Sequence, residues 1–179
     1  MQAMRANIGK GIAAGMAGGL IAAWVMERFQ SALPRVRQTI AEPQPSYIYT
    51  GARQPAQTTE PATVKAAAAI SSTVLHRSLR PDQKQAAAEV VHYAVGAIAG
   101  GIYGALAEYL PEARLGAGSA FGAALWAVSD EIGVPLTGLS RPPEDYPLRV
   151  HASALAAHLV YGLSTELLRS ALRRGVLAR

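Results

Sequence analysis

The sequence contains no cysteine among its 179 residues. A disulfide framework and a thiolate metal site are therefore both excluded, and the chain gives no redox clue to its compartment. The length predicts a single domain over residues 1–179.

Charged side chains are also scarce, because they make up 16% of the chain whereas ordinary soluble domains carry about 25%. Alanine and glycine, rather than larger aliphatic residues, make up the difference. The net charge is +5, but the Lys and Arg residues lie between apolar stretches and at the C-terminus instead of forming one stripe. This scatter is typical of a protein whose apolar parts lie in lipid, and no nucleic-acid partner is expected.

Four stretches are nearly free of charge, at residues 11–26, 90–107, 115–129 and 150–165. The first has no polar side chain on any face, so a helix there must be buried on all sides or lie in lipid. A soluble Ala-rich bundle of this size could bury one such helix but hardly four. We therefore predict an all-α fold, a four-helix transmembrane bundle with spans at about 9–28, 88–110, 114–133 and 150–170.

The N-terminal stretch has the basic start and apolar core of a signal peptide, but the residues after it form a poor cleavage site. We therefore expect it to be a retained first span. The prolines between Pro34 and Pro61 predict a peripheral loop without regular helix, which residues 47–49 could hold on the membrane surface. Residues 61–80 then predict a short interfacial helix that Pro81 stops, so that residues 29–85 are peripheral.

Glycine recurs at every fourth position in several of these stretches, and positions four apart lie on one helix face. Small residues let helices approach closely in lipid, where close contact and hydrogen bonds drive association. The glycines predicted to pack are Gly11, Gly15, Gly19, Gly96, Gly100, Gly104, Gly118 and Gly122. We expect the first face to press on the second; the alternative is that the glycines only reflect composition.

Carboxylates and imidazoles are predicted to gather near one end of the bundle, because ionisable groups in membranes are costly and usually face the interior. Glu108 and Glu166 fall at the opposite end. The predicted polar cluster, on the side of the long loop, consists of Glu27, His92, Asp130, Glu131, His151 and His158.

Three interpretations of this polar cluster are open. Its hydrogen bonds could simply join the helices, which is the interpretation that we favour. It could hold or pass protons or ions, since carboxylates paired with histidine titrate near neutral pH. It could also bind a divalent metal, or a haem between His92 and His158. No metal and no cofactor are predicted.

No catalytic constellation is found. Residues 162–166, GLSTE, lack the Gly-x-Ser-x-Gly spacing and the preceding strand of a nucleophile elbow. Residues 96–104, GAIAGGIYG, lack the Lys-Ser/Thr ending of a phosphate loop. No catalytic residue is therefore predicted, and the protein is expected to be no enzyme.

Three stretches, HYAVGAIAGGIYGALAEYLP, DEIGVPLTGLSRPPEDYP and HASALAAHLVYGLSTELLR, resemble the YagU-like family of bacterial inner-membrane proteins, a domain of unknown function. The shared features lie at Trp24, Glu27, His92, Tyr103, Glu108, Pro111, residues 135–139, His158 and Glu166. Family members vary at the positions of Asp130 and Ala154, so the resemblance implies a polar site without a fixed ligand set. It implies a multi-pass inner-membrane protein with no established reaction and an association with acid tolerance.

Together these observations predict a small integral membrane protein held together by Gly/Ala faces, either free-standing or an accessory subunit of a larger membrane complex. The expected partners are the lipid bilayer and either other membrane-protein subunits or further copies of this chain. The alternative is a proton- or ion-handling protein linked to acid tolerance, which would use Glu27, His92, Asp130 and His158.

Overall fold

A computed structural model describes residues 7–40 and 60–175, with side chains described as far as Leu33 in the first helix. These residues form helices and no strands, which confirms the all-α class for the described part of the chain. The main helices are α1 (Ile8–Ile40), α2 (Ala62–Val74), α3 (Pro81–Tyr109), α4 (Ser119–Trp126), α5 (Val134–Leu136) and α6 (Leu148–Arg174).

The first helix is longer than the predicted span at 9–28, because α1 continues to Ile40. The prediction that the prolines exclude a helix from Phe29 onwards is therefore wrong as far as residue 40. A proline removes only one backbone hydrogen bond from a helix, and the long α1 continues through Pro34 despite that loss. The remaining predicted loop residues, including Pro43 and the surface residues 47–49, lie outside the described residues.

Pro81 begins a helix rather than stopping one, contrary to the prediction. The interfacial helix ends early, since α2 stops at Val74 and His76 has a positive φ of 51°. Pro81 then occupies the first turn of α3, where its missing N–H costs nothing. The Gln83 side chain accepts a hydrogen bond from the Arg80 N–H at 3.1 Å and so caps the start of α3. Helix α3, which corresponds to the second predicted span, therefore begins seven residues before the predicted residue 88.

The predicted third span at 114–133 is shifted and irregular. Residues Pro111–Gly118 form short 3₁₀ turns broken at Leu115, and Gly116, Ala117 and Gly118 all have positive φ. Helix α4 starts only at Ser119 and continues through a π-helix, Ala127–Gly133, into α5. We call residues 119–136 the α4–α5 rod. Pro135 lies near its end, and Gly138 follows with a φ of 72°.

Two pairs of helices pack through glycine faces, and both pairs are antiparallel. In the first pair, Gly15 of α1 lies against Gly100 and Gly104 of α3, so a Cβ on Gly15 would lie 2.8 Å from Gly104 Cα. In the second pair, the faces of the α4–α5 rod and α6 meet at Gly122 and Gly162. No side chain fits at these contacts, so glycine is what allows the backbones to touch.

All eight glycines predicted to pack contact another part of the same chain. Gly19 and Gly96 continue the contact of α1 with α3, and Gly11 lies against Glu108. Gly118 lies against Gly162. The glycine faces therefore pack helices of this chain against one another.

The packing is inverted relative to a soluble protein, whose interior holds the large aliphatic side chains. Here the buried apolar residues are mostly alanines, together with Tyr103 and Tyr161. Large aliphatic side chains on α1 and α3 point outwards instead, with Leu20 47%, Ile98 59% and Ile102 56% exposed. Two helical segments within the described residues, Ile8–Leu33 and Pro81–Tyr109, are long and apolar enough to cross a bilayer. Four spans were predicted, and two helical segments of the described residues meet this criterion.

Candidate functional site

The acidic pair of the predicted polar cluster lies on the π-helix Ala127–Gly133. A π-helix is rare, and its wider turn is found frequently at functional sites. Here it carries Asp130 and Glu131 towards α6, where each of them lies beside a histidine. The irregular segment therefore positions both carboxylates against α6.

Glu131 and His151 form a direct pair, with 2.6 Å between Glu131 Oε1 and His151 Nδ1. The other ring nitrogen, Nε2, lies 3.1 Å from the backbone oxygen of Pro143. A carbonyl oxygen only accepts, so Nε2 carries hydrogen and donates to Pro143. This pair fastens the start of α6 to the π-helix and to the loop between them.

Asp130 and His158 are close but do not share a good hydrogen bond, since Asp130 Oδ2 is 3.8 Å from His158 Nδ1. His158 Nδ1 instead lies 3.0 Å from the backbone oxygen of Ala154. Asp130 Oδ1 accepts a hydrogen bond from the Ser129 hydroxyl at 2.8 Å. The carboxylate is 37% exposed, whereas the His158 side chain is 11% exposed, so Asp130 can still meet a ligand.

The remaining two predicted residues belong to the contact of α1 with α3. Glu27 accepts a hydrogen bond of 2.5 Å from the Tyr93 hydroxyl and one of 2.7 Å from Arg28. His92 Nε2 lies 3.3 Å from the backbone oxygen of Ala23. The six predicted residues thus lie at the same end of the helices but divide into separate contacts instead of forming one cluster.

Two cavities lie among these contacts. The main cavity has a volume of about 420 Å³, and its wall includes His92, Asp130 and His158. The second cavity, of about 290 Å³, is lined by Glu131 and His151 and also by Asp130, which therefore borders both. In the described parts of the chain, no group of three or more His, Asp or Glu side chains could hold a metal ion.

A network of buried charges at the opposite end was missed by the sequence reasoning. We call Glu108, Glu166, Arg169 and Arg173 the buried ion network. Arg173 donates twice to Glu108, at 2.6 and 2.8 Å, and Arg169 donates twice to Glu166, at 2.6 and 2.9 Å. The Arg169 side chain is only 4% exposed, so it does not reach outwards to lipid headgroups.

Two further groups complete this network. Tyr103 donates to Glu166 at 2.9 Å, and the backbone N–H of Asn7 donates to Glu108 at 2.9 Å. The signal that could have revealed the network is the spacing of Glu166, Arg169 and Arg173 on one face of α6. Its partner Glu108 lies on α3, far along the chain, where no local pattern links the two.

Comparison with known proteins gives one result. The family model described as "Protein of unknown function (DUF1440)" matches residues 48–167, about two thirds of the chain. The chain belongs to this family. No curated protein and no solved structure matches the chain significantly.

The matched region contains α2, α3, the α4–α5 rod and most of α6. It therefore includes the whole lining of the second cavity and all of the main cavity's lining except the residues of α1. The family is uncharacterised, as is the one that the sequence resembles; the finer assignment to a YagU-like family stays a prediction. The family therefore supplies no activity, and function must be argued from the geometry.

Proposed function

We propose that the protein is a multi-pass integral protein of the bacterial inner membrane without a catalytic site. The observation that carries this proposal is the inverted polarity of the fold. Tyrosines, arginines and carboxylates are buried inside, whereas Leu20, Ile98 and Ile102 are about half exposed. Water would penalise such a surface, while lipid tails are as apolar as the side chains that meet them.

The proposal includes four crossings, although among the described residues two helical segments are long and apolar enough by composition. Helix α6 has 27 residues, or about 40 Å of α-helix. Its buried side chains include His158, Tyr161, Thr165, Arg169 and Arg173. Leu163 and Leu167 lie on its outer surface, 44% and 68% exposed. The α4–α5 rod would be about 27 Å long as an α-helix, close to the thickness of the hydrocarbon core.

The packing of the glycine faces favours a free-standing protein over an accessory subunit. An accessory subunit could dock through glycine faces only if they were free, but all eight glycines predicted to pack contact other parts of this chain. A partner subunit would have to use the aliphatic outer surface, which suits lipid equally well. We therefore favour a free-standing protein.

Alkaline carbonate extraction of membranes from cells that produce the chain tests this proposal. We expect the protein to stay in the pellet, because carbonate strips peripheral proteins but leaves integral ones. Solubilisation by mild detergent is the control that excludes aggregation. Release into the carbonate supernatant would contradict the proposal.

Cation handling is a second candidate function, favoured by the main cavity. Asp130 borders both cavities on a π-helix and keeps one oxygen without a close donor. This is a place where a carboxylate can take up a proton or another cation. The Asp130→Asn variant should lose cation binding, and unchanged binding in that variant would contradict this candidate. An association with acid tolerance rests on the resemblance alone.

A further inference from the structure

Four hydrogen-bond donors at the polar end of the main cavity are directed to partners within the protein, a backbone oxygen in three cases and Asp130 in the fourth. The donors are His92 Nε2, His158 Nδ1, Tyr161 Oη and Ser129 Oγ, at 3.3, 3.0, 2.6 and 2.8 Å from their partners.

The charge at this end of the cavity comes from a carboxylate. Asp130 is the one Asp, Glu, Lys or Arg side chain among the described residues that line the cavity. Its Oδ2 lies 3.8 Å from His158 Nδ1, too far for a good hydrogen bond. Thr63 and Gln30 also line the cavity and can donate or accept. A ligand that pairs with the Asp130 carboxylate donates hydrogen bonds and carries positive charge.

The rest of the cavity wall is apolar. Met26, Val91, Val95, Leu125 and Val134 contribute to it from α1, α3 and the α4–α5 rod. A volume of about 420 Å³ is within the usual range for small-molecule pockets, which are mostly apolar with a few converging polar groups. A hydrated inorganic ion would gain nothing from such walls. An organic cation would bury its apolar body against them.

We propose that the main cavity binds a protonated organic amine, with the ammonium group on Asp130 and an apolar body along the aliphatic wall. The inference rests on the second candidate function proposed above, to which it gives a ligand class. Ser129 holds one carboxylate oxygen in place, so the ammonium donates to the other.

Titration calorimetry on the full chain in phosphatidylcholine nanodiscs tests this inference. The probe is 4-phenylbutylamine, which is protonated at pH 7, and the comparison compound is 4-phenylbutanol, which has the same apolar body without the charge. We expect the amine to bind at least about tenfold more tightly than the alcohol, because only the amine makes a charge-assisted hydrogen bond. Equal affinity, or no heat beyond that of empty nanodiscs, would overturn the inference.

The Asp130→Asn variant locates the ammonium group. We expect its affinity for the amine to fall at least about tenfold while its affinity for the alcohol is unchanged. Glu131→Gln is the matched control, since Glu131 is the adjacent carboxylate, pairs with His151 and borders only the second cavity. Amine binding that survives Asp130→Asn, or is lost equally in Glu131→Gln, would place the ammonium elsewhere.

The amine and alcohol titrations of the wild-type chain test the inference even if Asp130→Asn fails to fold. Membrane integration is measured separately by carbonate extraction. An integral protein that does not discriminate amine from alcohol would therefore overturn this inference and leave the membrane proposal standing.

Discussion

The buried ion network is the most demanding feature at the scale of single residues. Glu108, Arg169 and Arg173 have side chains only 3–5% exposed, and Glu166 is 13% exposed. Two carboxylates and two guanidinium groups sum to zero charge, and the bidentate pairs satisfy most of their hydrogen-bonding groups. Removal of one member leaves an uncompensated buried charge, which costs far more than the pair contributes.

The Glu108→Gln variant should therefore be strongly destabilised. It leaves two arginines facing one carboxylate inside the protein, and breaking a buried pair costs about 3–5 kcal/mol. We expect a large drop in the midpoint of thermal unfolding, measured by the fluorescence of Trp24 and Trp126 in detergent. Glu60→Gln is the matched control, because Glu60 forms an exposed pair with Lys84 whose loss should change little.

A double variant tests whether the uncompensated buried charge is what destabilises Glu108→Gln. Glu108→Gln combined with Arg173→Met removes both charges of the closest pair, so it should be more stable than Glu108→Gln alone. A double variant that is less stable than either single variant would contradict this account of the network.

The sequence could reveal only half of this network. Glu166, Arg169 and Arg173 share one face of α6 with His158 and Gly162, which is a polar stripe at helical spacing. That stripe is readable and indicates a polar inner face. The match of Arg173 with Glu108 depends on how α6 lies beside α3, and charge signs alone do not determine that arrangement.

At the scale of helices, the spacing of residues within a single helix explains which contacts could be predicted from the sequence. The four-residue glycine step lies entirely within α1 or α3, so their contact faces are visible in the sequence. The π-helix at Ala127–Gly133 was not predicted, because no local spacing pattern in these residues distinguishes a π-helix from an α-helix. The role of Pro81 was also misjudged, since a proline can either follow one helix or begin the next.

The glycine contact of α1 with α3 can be tested by adding a single methyl group. Glycine to alanine normally stabilises a helix interior by roughly 1 kcal/mol. In Gly15→Ala the sign should reverse, because the new Cβ would lie 2.8 Å from Gly104 Cα and force the helices apart. We expect a loss of about 1–3 kcal/mol in thermal unfolding.

Gly9→Ala is the matched control on the same helix. The nearest atom to its added Cβ would be Asn7 Oδ1 at 3.5 Å, an ordinary contact. This variant should be neutral or slightly stabilised. A stabilised Gly15→Ala would show that α1 and α3 do not touch as described.

At the scale of the whole molecule, the central claim is that the aliphatic exterior faces lipid. The direction of the chain alternates between α1 and α3 and again between the α4–α5 rod and α6, as successive crossings require. Four crossings would place the turn at 109–114 and the loop at 137–147 on opposite sides of the membrane. Two crossings, by α1 and α3 alone, would leave both on one side.

Labelling of single-cysteine variants measures the number of crossings and the exposure to lipid directly. The natural chain has no cysteine that must first be removed. Glu112→Cys and Glu144→Cys place thiols in the exposed turn and loop, and Leu20→Cys places one on the outer surface of α1. In sealed vesicles of both orientations, a membrane-impermeant maleimide should label Glu112→Cys and Glu144→Cys from opposite faces and leave Leu20→Cys unlabelled. Labelling of both loops from one face, or of Leu20→Cys in intact membranes, would contradict a four-crossing protein surrounded by lipid.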